Sequence, residues 1–116
     1  MNTAMVVTWR SVVPGREVRA LQYAQEVDAF WEKAAADGKC SPPEIFFSRG
    51  GNKSIWMVKG DFDTLRETAR SDEARNLESM GMLLLGDFAI EFMETGEAAA
   101  AAMADSGAAV SALGLT

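Results

Sequence analysis

The hydrophobic period changes once near the start of the chain, and this change constrains the fold more than any other feature. Side chains of residues 4–13 alternate between two faces, which predicts a strand. Pro14 and Gly15 interrupt the pattern, and residues 17–37 then carry apolar side chains every three or four positions, which predicts a long helix ended by Gly38. A chain that begins in this way is expected to lay its first helix over one face of a sheet.

Further turn and capping signals divide the rest of the chain into short elements. Thr64 and Glu67 have the spacing of a helix capping box, and Ser71 begins a second helix-start signal. The predicted elements, in chain order, are a strand over 44–49, a hairpin turn over 50–53, a strand over 54–59, a helix opening at 61–64 and breaking near residue 70, a further helix to about residue 85, a turn at 86–87 and a strand over 88–94.

This order of elements predicts one architecture above others. Right-handed crossovers and hairpin pairing favour an α+β, ferredoxin-like βαββαβ domain, with a four-stranded antiparallel sheet and both helices on one face. We assign residues 1–96 to that domain. Residues 97–116 form an alanine-rich tail that we expect to be frayed or disordered, helical at most until Ser106 and Gly107. The alternative is that apolar tail residues dock on a partner subunit: Val110, Leu113 and Leu115.

Strand alternation sorts the sheet residues into two faces. The face expected under the helices is apolar, and comprises Met5, Val7, Trp9, Ile45, Phe47, Trp56, Val58, Phe88, Ile90 and Phe92. The opposite face, which we call the open face, carries both apolar and polar side chains: Val6, Thr8, Arg10, Glu44, Phe46, Ser48, Ile55, Met57, Lys59, Ala89, Glu91 and Met93. Leaving its large apolar side chains in water forgoes about 1.5–3 kcal/mol each. We therefore expect a homodimer in which two open faces cover each other.

Composition excludes several classes of function. With 11 basic and 17 acidic residues the formal net charge is −6, which disfavours nucleic acids and anionic membranes as partners. The chain has no histidine, and its carboxylates show no metal-like spacing, so neither a metal nor another cofactor is expected. Cys40 is the single cysteine and is interpreted as an incidental reduced thiol. No membrane span or export signal is recognised, and a cytoplasmic location is the expectation.

Two segments resemble a known superfamily, the dimeric α/β-barrel proteins. The first is Val13-Pro14-Gly15-Arg16-Glu17, where a strand passes into an acidic helix start, and the second is the helix break at Ser71-Asp72-Glu73. The resemblance covers about residues 4–95 by order of elements. The superfamily includes antibiotic-biosynthesis monooxygenases, muconolactone isomerases, haem-degrading enzymes and stress-responsive proteins. It implies a homodimer that encloses a small, often aromatic or polyketide-like molecule between sheet and helices, and haem ligation through histidine is excluded here.

Two hypotheses of function remain open at the level of sequence. One is a non-catalytic barrel protein that binds a small organic molecule, and the alternative is a cofactor-independent monooxygenase or isomerase. In the enzyme, Arg10 would hold an oxyanion or carboxylate, and Glu91 would act as a base if burial raised its pKa. These two residues could instead simply pair with each other. The predicted ligand-binding residues all belong to the open face: Thr8, Arg10, Phe46, Ser48, Met57 and Glu91. Four aromatic residues are expected either to shape a pocket or to form core: Trp9, Tyr23, Trp31 and Trp56.

Overall fold

The predicted alternation of strands and helices is present in the computed structural model of the protein, which describes residues 2–114. The elements in chain order are β1 (Thr3–Trp9), β2 (Ser11–Val12), α1 (Glu17–Ala36), β3 (Glu44–Phe46), β4 (Ser54–Gly60), α2 (Phe62–Ala69), α3 (Asp72–Leu84), β5 (Leu85–Gly86), β6 (Ala89–Glu94) and α4 (Gly96–Ala112).

The main sheet has four strands in the order β3-β4-β1-β6, and every neighbouring pair is antiparallel. Strand β1 is central, so that Val7 lies opposite Trp56 on one side and Ile90 on the other. This order and the helices between the strands confirm the ferredoxin-like α+β prediction. A separate two-residue ladder joins β2 to β5.

Helices α1 and α2 bury the sheet face that the sequence assigned to them. Val58 and Leu65 are fully buried, and Met5 and Trp56 are nearly so. They form one core cluster with Trp31, whose ring meets that of Trp56 edge-on at a centroid distance of 5.9 Å. Aromatic pairs prefer such edge-to-face geometry, and this pair joins α1 to β4 within the core.

Helix ends follow the predicted signals at two points and depart from them at a third. Gly38, with φ of +78°, follows α1, and its N–H donates to the Ala35 carbonyl at 3.0 Å. Ser71 caps α3, because its hydroxyl accepts from the Ala74 N–H at 3.3 Å. The predicted capping box is wrong: α2 follows Asp61, and Thr64 lies inside the helix.

Three strand boundaries also differ from prediction. The first strand bends at Arg10 and divides into β1 and β2. The second is only three residues long, since the Ser48 N–H turns to the Ser54 hydroxyl at 3.1 Å. The predicted turn at residues 86–87 is shorter than expected, because Gly86 belongs to strand β5. Of these two residues only Asp87 adopts a left-handed φ, of +53°.

The alanine-rich tail is more regular than predicted. Helix α4 runs through Ser106 and Gly107, where the sequence analysis placed its end, because surrounding alanines favour the helix strongly enough. None of its residues is buried, and the radius of gyration of 16.6 Å exceeds the roughly 13 Å expected of a compact domain this long. Leu115 lies outside the described residues. No helix within residues 2–114 is long and apolar enough to cross a membrane.

Candidate ligand cavity

A cavity of about 720 Å³ lies between the helix-covered sheet face and helices α1, α2 and α3. Its wall is mainly apolar, with strand residues such as Val7, Ile90 and Phe92 and helix residues such as Val27 and Leu77. Small-molecule sites commonly have volumes of roughly 300–1,000 Å³ and walls of this character. The cavity is therefore large enough for an organic molecule of several rings.

Four aromatic residues named from the sequence meet in the cavity wall: Trp9, Tyr23, Trp31 and Trp56. Trp31 and Trp56 are also buried members of the core, so these two residues both line the pocket and form core. The Trp56 indole N–H donates to the Asp28 carboxylate at 3.0 Å. This bond between β4 and α1 fixes the ring that forms part of the cavity wall.

Tyr23 packs against α3 at a glycine. A Cβ atom on Gly81 would lie 2.5 Å from the Tyr23 hydroxyl oxygen and 2.6 Å from the Phe88 ring, so only glycine leaves room for both side chains. Burial, with the nearby carboxylate of Glu78 as a second cause, raises the pKa of Tyr23 to about 12. The sequence analysis did not single out Gly81. The signal was present, because a glycine inside a helix costs about 1 kcal/mol relative to alanine and calls for a packing reason.

Charged side chains also line the cavity. Arg66 comes from α2 and Arg70 is the cap residue that follows it, and three carboxylates come from α1 and α3: Glu17, Asp28 and Glu78. The ion pairs found within residues 2–114 lie elsewhere, between Arg10 and Asp87 and between Arg19 and Glu26. The sequence analysis missed Arg66 and Arg70, since charged residues on a short helix give no signal that distinguishes them from a solvated surface.

The predicted ligand-binding residues lie on the other side of the sheet, and none contributes to this cavity. Met57 and Glu91 stand opposite Val6 from its two sides, and Thr8 is two residues farther along β1. Phe46 is 54% exposed at the edge strand, and Ser48 follows the end of that strand. The register thus brings Thr8, Met57 and Glu91 close together on the open face, and contact of the six predicted residues with a ligand stays a prediction.

Arg10 and Glu91 do not pair with each other as the structural alternative supposed. Arg10 Nε lies 3.7 Å from Asp87 Oδ2, because Thr8 pairs with Ala89 and the register carries Arg10 opposite Asp87. Glu91 is exposed in the single chain. The burial that a basic role of Glu91 requires would have to come from a covering partner.

Cys40 agrees with its interpretation as an incidental thiol. It is 6% exposed, and its Sγ lies 3.9 Å from the Trp31 carbonyl oxygen, to which it donates. Burial raises the pKa of this thiol, which disfavours the reactive thiolate. Across residues 2–114, no three His, Cys, Asp or Glu side chains gather in a way that could hold a metal ion.

Solved structures of similar fold come from several bacteria, although no protein-family model and no curated protein matches the chain. Rv0793 from Mycobacterium tuberculosis superposes with a TM-score of 0.62 at 17% identity, over 84% of this chain and 97% of its own. A candidate antibiotic biosynthesis monooxygenase from Caulobacter crescentus CB15 gives 0.59 at 19% identity, over 83% and 92%. Another antibiotic biosynthesis monooxygenase gives 0.62 at 12% identity, over 81% and 98%. The chain thus has the ferredoxin-like fold of antibiotic biosynthesis monooxygenase-like proteins, as its sequence resemblance implied.

Proposed function

We propose that the protein binds a small organic molecule in the cavity between its sheet and helices. The observation that carries this proposal is the 720 Å³ space, walled by aromatic and aliphatic side chains and edged by a few charged groups. The cavity opens toward the sheet edge, where the lining residues Ile45 and Phe47 are 60% and 72% exposed, so it is accessible from solvent. Its walls favour a flat, largely apolar ligand.

Calorimetric titration with 2-naphthylmethanol, an uncharged two-ring probe, tests this proposal. Ala24 lines the cavity and is exposed on α1, so Ala24→Phe should fill part of the space and weaken binding at least about tenfold. Ala29 is exposed on the same helix and is absent from the cavity wall, so Ala29→Phe is the matched control. Equal binding by both variants, or no binding by the unmodified protein, would contradict the proposal.

We further propose that the protein is a homodimer in which two open faces cover each other. Phe46 and Met93 are 54% and 43% exposed on that face, and the neighbouring Ile55 and Met57 are only partly buried. Val6, on the central strand of the same face, was expected in water but is only 5% exposed in the single chain, so the exposed apolar surface lies toward the edge strands. Exposed apolar surface of this kind often marks an interface. A two-fold axis lets the same patch serve both copies, so no second partner is needed.

Helix α4 is proposed to belong to the same assembly. Apolar residues lie at positions 99, 103, 110 and 113, and Ser106 occupies the middle position of this alternating four-and-three interval, which is the spacing of a helix seam. Met103 and Leu113 are 75% and 71% exposed along it. Val110→Glu, on the seam, should therefore weaken self-association measured by sedimentation velocity, whereas Ala108→Glu, off the seam, should not. Equal sedimentation of the two variants would remove α4 from the interface.

A cofactor-independent monooxygenase is the second candidate, favoured by the single tyrosine in the aromatic cavity. Anthrone is a suitable trial substrate, because its reaction with O₂ yields anthraquinone and water without a reductant. Arg10→Ala and Glu91→Gln test the predicted catalytic residues, and Tyr23→Phe tests the cavity. Loss of anthraquinone formation with an intact dimer would support a catalytic role, whereas a lower melting temperature or dissociation would indicate a structural one. No acceleration by the unmodified protein would contradict the enzyme hypothesis.

A cytoplasmic location is also part of the proposal, supported by a lone buried thiol that needs no oxidising compartment. Fractionation of the source cells alongside cytoplasmic and exported marker proteins tests it, and recovery with the exported marker would contradict it.

A further inference from the structure

Two guanidinium groups stand at the α2 end of the cavity. Arg66 and Arg70 are exposed, and both contribute to the cavity wall and to a shallower recess beside it. Arg66 lies in the last turn of α2, and Arg70, four residues later, is the cap residue that follows the helix and still has helical dihedral angles. This spacing places their Cβ atoms about 5–6 Å apart on the same side. Two long side chains at that spacing can converge on one small group.

Neither arginine lies within 4 Å of a carboxylate oxygen of residues 2–114, although acidic residues outnumber basic ones by 17 to 11 in the chain. The recess also contains Asp63 and Glu67, which are the nearest acidic side chains on α2. Three other arginines also lack an ion pair within the described residues: Arg16, Arg49 and Arg75. Of the seven arginines, however, only Arg66 and Arg70 line the cavity. Two guanidiniums without a carboxylate partner beside an apolar cavity suggest an anionic ligand group.

The carboxylates that line the cavity have other environments. Asp28 accepts the Trp56 indole N–H at 3.0 Å, and Glu17 accepts the Gly15 N–H at 3.2 Å. Glu78 lies near the Tyr23 hydroxyl, at the end of the cavity formed by α3. Charge is therefore divided along the cavity, with the cationic groups at the end of α2 and the acidic Glu78 on α3.

We propose that the cavity takes an aromatic carboxylate, with its rings against the apolar wall and its carboxylate held by Arg66 and Arg70. This inference rests on the proposed function and adds the chemical class of the ligand. A guanidinium presents a planar fork of N–H donors that matches a carboxylate in two-point contact. The apolar walls supply affinity for the rings, and the two arginines supply orientation and selectivity for the anion.

Two probes of the same ring system separate this inference from the proposed function. 2-Naphthoate carries the carboxylate, and 2-naphthylmethanol replaces it with an uncharged hydroxymethyl group. Both are titrated calorimetrically at low salt into the full chain, into Arg66→Gln/Arg70→Gln and into Arg49→Gln/Arg75→Gln. The last variant removes the same charge from exposed residues outside the cavity wall.

We expect the unmodified protein to bind 2-naphthoate at least about tenfold more tightly than 2-naphthylmethanol. Arg66→Gln/Arg70→Gln should abolish that preference and leave binding of the alcohol within about twofold, while the control variant keeps the preference. Binding of the alcohol without any preference for the carboxylate would overturn this inference and leave the proposed function standing. Loss of preference in the control variant as well would show a general charge effect and would also overturn it. Binding of neither probe would overturn both proposals.

Discussion

The two faces of the four-stranded sheet differ both in how many large apolar residues they carry and in what covers those residues. Under the helices, Trp56 is 5% exposed and Val58 is fully buried. On the open face, Phe46 is 54% exposed and Met93 is 43% exposed. Strand alternation alone separates the two sets, but it does not say which set the chain covers by itself. In the proposed homodimer, a second copy of the chain covers the exposed members of the second set.

Even the helix-covered face is not completely covered. Ile45 and Phe47 point to that side at the edge strand and remain 60% and 72% exposed, and both line the cavity. The prediction that this face is apolar is confirmed, but its burial is incomplete where the sheet extends past the helices. That incomplete packing is what leaves space for a ligand.

The largest expected effect comes from emptying the core under the helices. Leu65 is fully buried, so Leu65→Ala should lower the free energy of unfolding by about 2–5 kcal/mol in urea denaturation. Leu83, 63% exposed on α3, is the control, and Leu83→Ala should cost less than about 0.5 kcal/mol. Similar losses from the two substitutions would contradict the assigned core.

The second largest effect is a pH dependence of stability that arises from Tyr23, which is buried on α1. Folding raises the pKa of Tyr23 from about 10 to about 12, so the folded state retains this proton more strongly. Its contribution to stability is complete below pH 10 and is lost as the pH rises to about 12, amounting to about 2–3 kcal/mol. Because the chain has one tyrosine, phenolate absorbance in native and urea-unfolded protein reports both values directly. Tyr23→Phe should lack this loss of stability, and equal native and unfolded pKa values would refute the burial of the hydroxyl.

Gly81→Ala should have a smaller effect, since two terms oppose each other. The new methyl group meets Tyr23 and Phe88, and overpacking costs about 1–3 kcal/mol, while alanine favours the helix by about 1 kcal/mol. The net loss of unfolding free energy is expected to be about 0–2 kcal/mol by urea denaturation. Gly107→Ala in α4 meets open space and should instead increase helix content in circular dichroism. A gain of stability in both variants would contradict the close packing at Gly81.

The smallest effect is expected at the exposed Arg10–Asp87 pair. Its side chains are 61% and 74% exposed, and exposed pairs contribute about 0–1 kcal/mol. Arg10→Ala should therefore change the free energy of unfolding of the single chain by less than about 1 kcal/mol at moderate salt. A larger loss that depends on protein concentration would show that a second copy buries this pair.

The sequence predicted the order of elements because periodicity and turn residues are local. The two faces followed from strand alternation, which the register of Val7 with Trp56 and Ile90 confirms. The cavity could not be predicted from the sequence, since it depends on the distance of α2 and α3 from the sheet and on the space that Gly81 leaves for Tyr23. Predicted ligand-binding residues were therefore placed on the open face, because burial by long-range packing is not encoded in any local spacing.

The alanine-rich tail shows a second limit of prediction from sequence, in a segment that lacks long-range packing. Its alanine content predicted a helix, but the turn tendency of Ser106 and Gly107 was given more weight than the structure supports. Local propensity alone decides such a segment, because α4 buries no residue against the body of the molecule. A prediction is least reliable for a segment in which helix propensity competes with turn propensity and no packing against the body of the molecule decides between them.

The central claim is that the open face is an interface between two copies, and two adjacent residues at the end of β3 test it most directly. Phe46 faces the open side and Phe47 the cavity side, and both are more than half exposed. Light scattering of the eluting protein should give twice the chain mass of 12.5 kDa for the unmodified protein and for Phe47→Glu, and the single mass for Phe46→Glu. A monomeric unmodified protein, or dissociation by Phe47→Glu in place of Phe46→Glu, would contradict the account.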